Sequence, residues 1–114
     1  MILNTARMTV RPDKRAEFYQ TIGNLLEPIK SAAGCRGFRF YVDTTDENSS
    51  LLIGEWDSEA DLENHLRSND FAVLRGAITL LCTRQVELRA FIYSGAKARP
   101  SNSKGMTSVQ TRRI

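Results

Sequence analysis

One side chain in these 114 residues, the lone histidine His65, has an ordinary pKa in the range where proton transfer is efficient. It stands in Leu62-Glu63-Asn64-His65-Leu66, where helical spacing puts it on the same face as Leu62 and Leu66. In a cleft it would serve as a general base or a hydrogen-bond donor. The structural alternative is a buried imidazole bonded to backbone. Asn4 is the one clearly polar residue in the alternation Ile2, Asn4, Ala6, Met8, Val10, so burying it requires a partner or a ligand. As a site residue it would orient a carbonyl or an oxyanion, while an edge position or a bound water would explain it equally well. Trp56, Phe38, Phe40 and Phe71 could wall an aromatic ligand, although aromatic residues at these periodicities are core by default. Arg75, one helical turn after Phe71, falls either at the mouth of the cleft or in solvent.

Missing motifs narrow the chemistry further. One histidine and no Cys-x-x-Cys pair leave no credible metal site, and Cys35 and Cys82 are expected to be reduced, structural thiols. No Gly-x-Gly-x-x-Gly or Walker sequence supports a nucleotide, and no nucleophile elbow supports Ser-His-Asp hydrolysis. No cofactor is therefore expected.

The elements that must position these residues follow from periodicity. Ile2 to Val10 alternates as a strand, and Phe18, Ile22, Leu25 and Ile29 mark one face of a helix that Pro28 should kink or end in its last turn. Cys35 to Asp43 and Leu51 to Trp56 read as a hairpin about the polar turn Thr44 to Ser49. Ser58 caps a second helix, interrupted and recapped at Asn69-Asp70, after which Phe71, Leu74, Ile78 and Leu81 again share a face. Gln85 to Tyr93 is the fourth strand. The order is β-α-β-β-α-β with a broken second helix, an α+β, ferredoxin-like arrangement.

In the strands the even-numbered face is almost wholly apolar and should carry the helices. The odd face mixes Leu3, Tyr41, Leu51, Ile53 and Phe91 with Arg7, Arg39, Glu55, Glu87 and Arg89. Such a face is too apolar for easy solvation, and pairing of two sheets in a homodimer is the economical expectation.

Length allows one core, and a composition of 41% hydrophobic and 25% charged residues is that of an ordinary folded domain. The net charge of +3 is unevenly spread: all 13 acidic residues precede residue 94, whereas five basic ones follow it. The chain accordingly divides into a domain over 1–93 and a basic, flexible tail over 94–114. No apolar run suggests a membrane span or secretory signal, so no membrane partner and a cytoplasmic location are expected. Specific nucleic-acid binding is not expected either.

Three segments carry a family resemblance: Thr9-Val10-Arg11-Pro12-Asp13-Lys14, Ala33-Gly34-Cys35-Arg36-Gly37-Phe38, and Glu55-Trp56 followed by Leu62-Glu63-Asn64-His65-Leu66. Over residues 2–92 the chain resembles the antibiotic biosynthesis monooxygenase family. The resemblance implies a dimeric α/β barrel and cofactor-independent oxidation of a quinol or polycyclic phenol to a quinone, with a small aromatic substrate and dioxygen as partners. His65 and Asn4 would then be catalytic, and Trp56, Phe38, Phe40, Phe71 and Arg75 would bind substrate. A non-catalytic small-molecule binding or sensing module of the same fold is the alternative. Haem degradation ranks third, because the haem-degrading relatives use Asn, Trp and His where this chain has Ala6, His65 and Arg75.

Overall fold

Alternation in the strands and four-residue steps in the helices resolve into one sheet with its helices on one side. The computed structural model describes residues 1–83, 86–92 and 112–113. In chain order these form β1 (Ile2–Thr9), a 3₁₀ turn (Pro12–Lys14), α1 (Arg15–Lys30), β2 (Cys35–Asp43), β3 (Asp46–Trp56), α2 (Glu59–Leu66), α3 (Asn69–Leu81), β4 (Glu87–Ile92) and β5 (Arg112–Arg113). The sheet order is β2-β3-β1-β4-β5, with every neighbouring pair antiparallel. Through β4 this is the ferredoxin-like arrangement with a broken second helix.

Parity decides what is buried. Ile2, Asn4, Ala6 and Met8 of β1, Phe38 of β2, Leu52 and Trp56 of β3 and Ala90 of β4 are all buried even positions. Against them pack Phe18, Ile22, Leu25 and Ile29 from α1 and Phe71, Leu74 and Ile78 from α3. Pro28 sits in the last turn of α1, which ends at Lys30. No helix among the described residues is long and apolar enough to cross a membrane.

Three details differ from expectation. The hairpin turn contracts to Thr44–Thr45, and β3 starts at Asp46 instead of Leu51 because Ser49 and Ser50 take ladder positions opposite Thr9 and Met8. Asp43 holds that tight turn, its Oδ1 accepting from the Thr45 N–H at 2.7 Å and the Thr45 hydroxyl at 2.6 Å. The helix break is capped one residue earlier than expected, since the Ser68 hydroxyl accepts the Phe71 N–H at 3.1 Å and Asn69 and Asp70 fall in the first turn. Finally, Arg112–Arg113 adds two residues to the β4 edge, opposite Ala90 and Arg89. Apart from that pair, the segment expected to form a basic tail lies outside the described residues.

Among the described residues no helix covers the odd face. Across it run the registered rows Tyr41, Leu51, Arg7, Glu87 and Arg39, Ile53, Thr5, Arg89. Leu3, Leu51 and Ile53 are half-buried within one chain, and Tyr41 is 49% exposed. Arg39 and Glu55 pair at 3.4 Å and Arg89 and Glu87 at 3.3 Å, exposed contacts of little net stability that would gain in a drier setting. The expected outcome is sheet-to-sheet self-association. Light scattering at micromolar concentration should report about twice 12.8 kDa, and Ile53→Lys should halve that mass. A wild type that runs as a monodisperse monomer would leave this face to solvent and remove the idea.

Candidate functional site

Asn4 sits in the middle of β1, with Gly54 of β3 on one side and Ala90 of β4 on the other. Its side chain turns toward the helices and meets Trp56. The indole Nε1–H donates to Asn4 Oδ1 at 2.9 Å, with both side chains buried. An indole N–H can only donate, so the amide oxygen must face it and the amide NH₂ is left for other use. The polar residue in the apolar alternation thus has its partner inside the protein.

Gly54 makes that bond possible. A Cβ there would run into Asn4 Oδ1 and lie 2.9 Å from Trp56 Nε1 and 3.3 Å from Phe38 Cδ1. A glycine inside a strand often marks such a close approach, a signal the reading of the sequence passed over.

His65 lies against this pair. Its ring stacks on Trp56 with centroids 4.6 Å apart and planes 25° apart, and it meets the rings of Phe71 at 5.2 Å and Phe38 at 5.9 Å edge-on. The α2 start that carries it is fixed locally: Ser58 Oγ accepts the Asp61 N–H at 3.2 Å and donates to Asp61 Oδ2 at 2.8 Å. Gly34, at φ 78°, leaves no room for a Cβ beside Asp61, and its carbonyl accepts the Asp57 N–H at 2.8 Å. His65 follows two turns later, 4% exposed, and its Nε2 finds no hydrogen-bond partner among the described residues.

Burial among aromatic rings pushes the imidazole pKa down to about 4, with the Asp70 charge pulling weakly the other way. This corrects the expectation of a pKa close to neutral. At physiological pH His65 is uncharged.

The sheet, α2 and α3 enclose a cavity of about 510 Å³, within the range usual for small-molecule sites. Asn4, Phe38, His65, Phe71 and Arg75 line it, so five of the seven residues singled out in the sequence come together. Trp56 does not reach the wall; it stands one layer behind, holding Asn4 and His65. Phe40 is the clear correction. It lies two residues along β2 from Phe38, under α1, where it packs edge-on against Phe18 at 6.0 Å and Tyr19 at 5.6 Å. Arg75 is exposed, with its guanidinium 5.3 Å from the Phe71 ring centroid.

Arg11 and Cys82 are among the lining residues that were not anticipated. Arg11 follows β1, where its N–H donates to Leu81 O at 2.9 Å, and Cys82 bridges to Val10 beside it. Desolvation pushes the Cys82 thiol up to about 11, so it is protonated and serves as apolar wall. Cys35 and Cys82 are both free thiols.

The family model described as antibiotic biosynthesis monooxygenase matches residues 1–76. An uncharacterised protein of Synechocystis sp. is 34% identical over 70 residues, 61% of this chain; the match spans 48% of that protein, about half its length. Among solved structures, one described as an antibiotic biosynthesis monooxygenase superposes with a TM-score of 0.75 at 20% identity, covering 81% of this chain and 97% of its own. A protein from Mycobacterium tuberculosis gives 0.74 at 23% identity, with 80% and 92% covered. At those identities the structures speak for the fold.

Two outcomes are expected. Gly54→Ala should break the Asn4–Trp56 bond and lower stability by roughly 1–3 kcal/mol, the cost of orphaning buried polar groups, read as a fall in melting temperature. The second concerns pH. Between 6.5, the unfolded pKa of His65, and about 4, the unfolded chain binds a proton that the folded one excludes. Stability due to this residue therefore falls as pH is lowered through that window, by roughly 3 kcal/mol in full. His65→Phe should flatten that part of the melting-temperature profile between pH 7 and 4.5. An unchanged slope would show that His65 is not held neutral.

Proposed function

The chain belongs to the antibiotic biosynthesis monooxygenase family, and from that premise we propose that it oxidises a quinol or polycyclic phenol to a quinone with dioxygen, without a cofactor. One observation carries the reading: a cavity with largely apolar walls contains a neutral, buried imidazole whose Nε2 is unpartnered, beside an asparagine amide with spare donors. A ring system with one hydroxyl matches that inventory.

In the proposed reaction the phenol hydroxyl faces His65 and the Asn4 amide. A pKa near 4 makes the imidazole a weak base toward solvent. Inside the cavity the balance changes, because a phenolate formed in contact favours the imidazolium, as does the charge of Asp70. Proton transfer and anion formation then support each other. The phenolate is a far better electron donor than the phenol, and it delivers an electron to dioxygen. Recombination forms the C–O bond at a ring carbon. One oxygen atom stays as the new carbonyl, and the other leaves as water with the hydrogens of the ring C–H and the hydroxyl. Phe38, Phe71 and the aliphatic wall keep bulk water from the anion.

The low basicity of His65 in the empty cavity is the one observation that favours the other reading, a module that binds the same ligands without turnover. Haem chemistry draws no support from Arg75, a cation laid over Phe71.

Oxygen uptake with a panel of naphthols, anthrols and their quinols decides between them. Turnover above the buffer rate is expected, and His65→Ala should slow it by about 10²-fold or more, the lower end of what general acid-base catalysis contributes. Since His65 is neutral above about pH 4, the wild-type rate should show no acid limb from it between pH 5 and 8. Turnover that His65→Ala leaves intact would keep the oxidation and discard the base. Binding with no oxygen uptake favours the module.

A further inference from the structure

Trp56 is the chain's single tryptophan, and it is fully buried one layer behind the cavity wall. Apolar area alone would account for an indole in such a place. Two of its contacts go further, because both end on residues that line the cavity. Its Nε1–H donates to Asn4 Oδ1 at 2.9 Å, and its face carries the His65 ring at a centroid distance of 4.6 Å. Amide and imidazole are thus both set by one side chain that does not itself reach the wall.

An amide can turn either end outward, and the two ends do opposite things. With its oxygen free, Asn4 would accept the proton of a ligand hydroxyl and hold it back. With its NH₂ free it can only donate, so it binds the hydroxyl oxygen through a lone pair and leaves the proton to another acceptor. The indole decides between these states, since it has no lone pair and only the amide oxygen can face it. A turned amide would set buried donors against each other. The imidazole, which rests on the same indole and is uncharged, has the lone pair to receive the proton.

We propose that Trp56 is a positioning residue: by holding the Asn4 oxygen it presents only amide N–H groups to the ligand's hydroxyl oxygen, and so sends the hydroxyl proton to His65. In that step the ligand O–H bond breaks, its electron pair stays on the oxygen facing the amide, and the proton binds the imidazole nitrogen. The amide donors hold the resulting anion more strongly than the neutral hydroxyl. The proposal rests on the reading of His65 and Asn4 as the hydroxyl-binding pair.

The test follows the ionisation of bound 2-naphthol by the absorbance of its naphtholate across pH, with naphthalene, which has no oxygen, as a probe of packing alone. Trp56→Phe frees the amide. Replacing the single tryptophan by benzothienylalanine, which keeps the bicyclic shape but has sulfur in place of N–H, frees it with less change in volume. Melting curves establish that the variants are folded. Either replacement should raise the pKa of bound naphthol by about one unit, a roughly ten-fold fall in its ionisation constant, while naphthalene binds as before. Asn4→Leu should give the same shift, and adding Trp56→Phe to it should add nothing. A purely structural indole would weaken naphthalene and naphthol alike and would add to the effect of Asn4→Leu, and either result overturns the positioning role. So does an ionisation constant that neither replacement of Trp56 changes. A wild type that binds no naphthol overturns the role together with the hydroxyl reading of the site. Indole-dependent ionisation in a wild type without oxygen uptake upholds the positioning role while the oxidation fails.

Discussion

A single buried hydrogen bond, from the indole of Trp56 to the amide oxygen of Asn4, organises one end of this molecule. Neither group can be buried cheaply alone, and each satisfies the other. The bond joins the outer end of β3 to the middle of β1, and it holds the indole as a platform on which His65 stacks. The imidazole in turn meets Phe38 and Phe71, tying β2 and α3 to the same cluster. Gly54 is the necessary gap. Site and core are here the same set of contacts, so changes to one cannot be made without the other.

The electrostatics follow from that packing. A histidine surrounded by rings loses the hydration that would stabilise its charged form, and only Asp70 offsets the loss. The imidazole on the cavity wall is therefore uncharged, while Arg11, beside the end of α3, and Arg75, over the Phe71 ring, carry positive charge on the same lining.

Much of this was legible in the residues. Period-two alternation assigned the buried face strand by strand, and the four-residue steps of Phe18, Ile22, Leu25 and Ile29 located α1. The fold followed, as did the meeting of Asn4, Phe38, His65, Phe71 and Arg75. What stayed hidden depends on neighbours distant in sequence. Ser49 and Ser50 read as turn because their propensity is polar, but strand pairing with Thr9 and Met8 overrides it. Phe38 and Phe40 share a face and a residue type, and only the position of α1 over Phe40 separates wall from core. Arg11 stood only within a segment of family resemblance, since nothing local shows that α3 ends beside it. The pKa of His65 depends on burial, which one-dimensional spacing does not measure.

The break between α2 and α3 has a geometric meaning of its own. In an uninterrupted helix, residues six apart are offset by about 9 Å and point some 120° away from each other. His65 and Phe71 have that separation in sequence, yet their rings are 5.2 Å apart. The interruption at Arg67, with Ser68 starting the helix anew, cancels the angular offset and swings the second segment round to face the first. The two residues between the helices thus behave as a hinge set at one angle. Lengthening or shortening this joint would rotate the long wall of the cavity about the imidazole, giving another shape of enclosure from the same side chains.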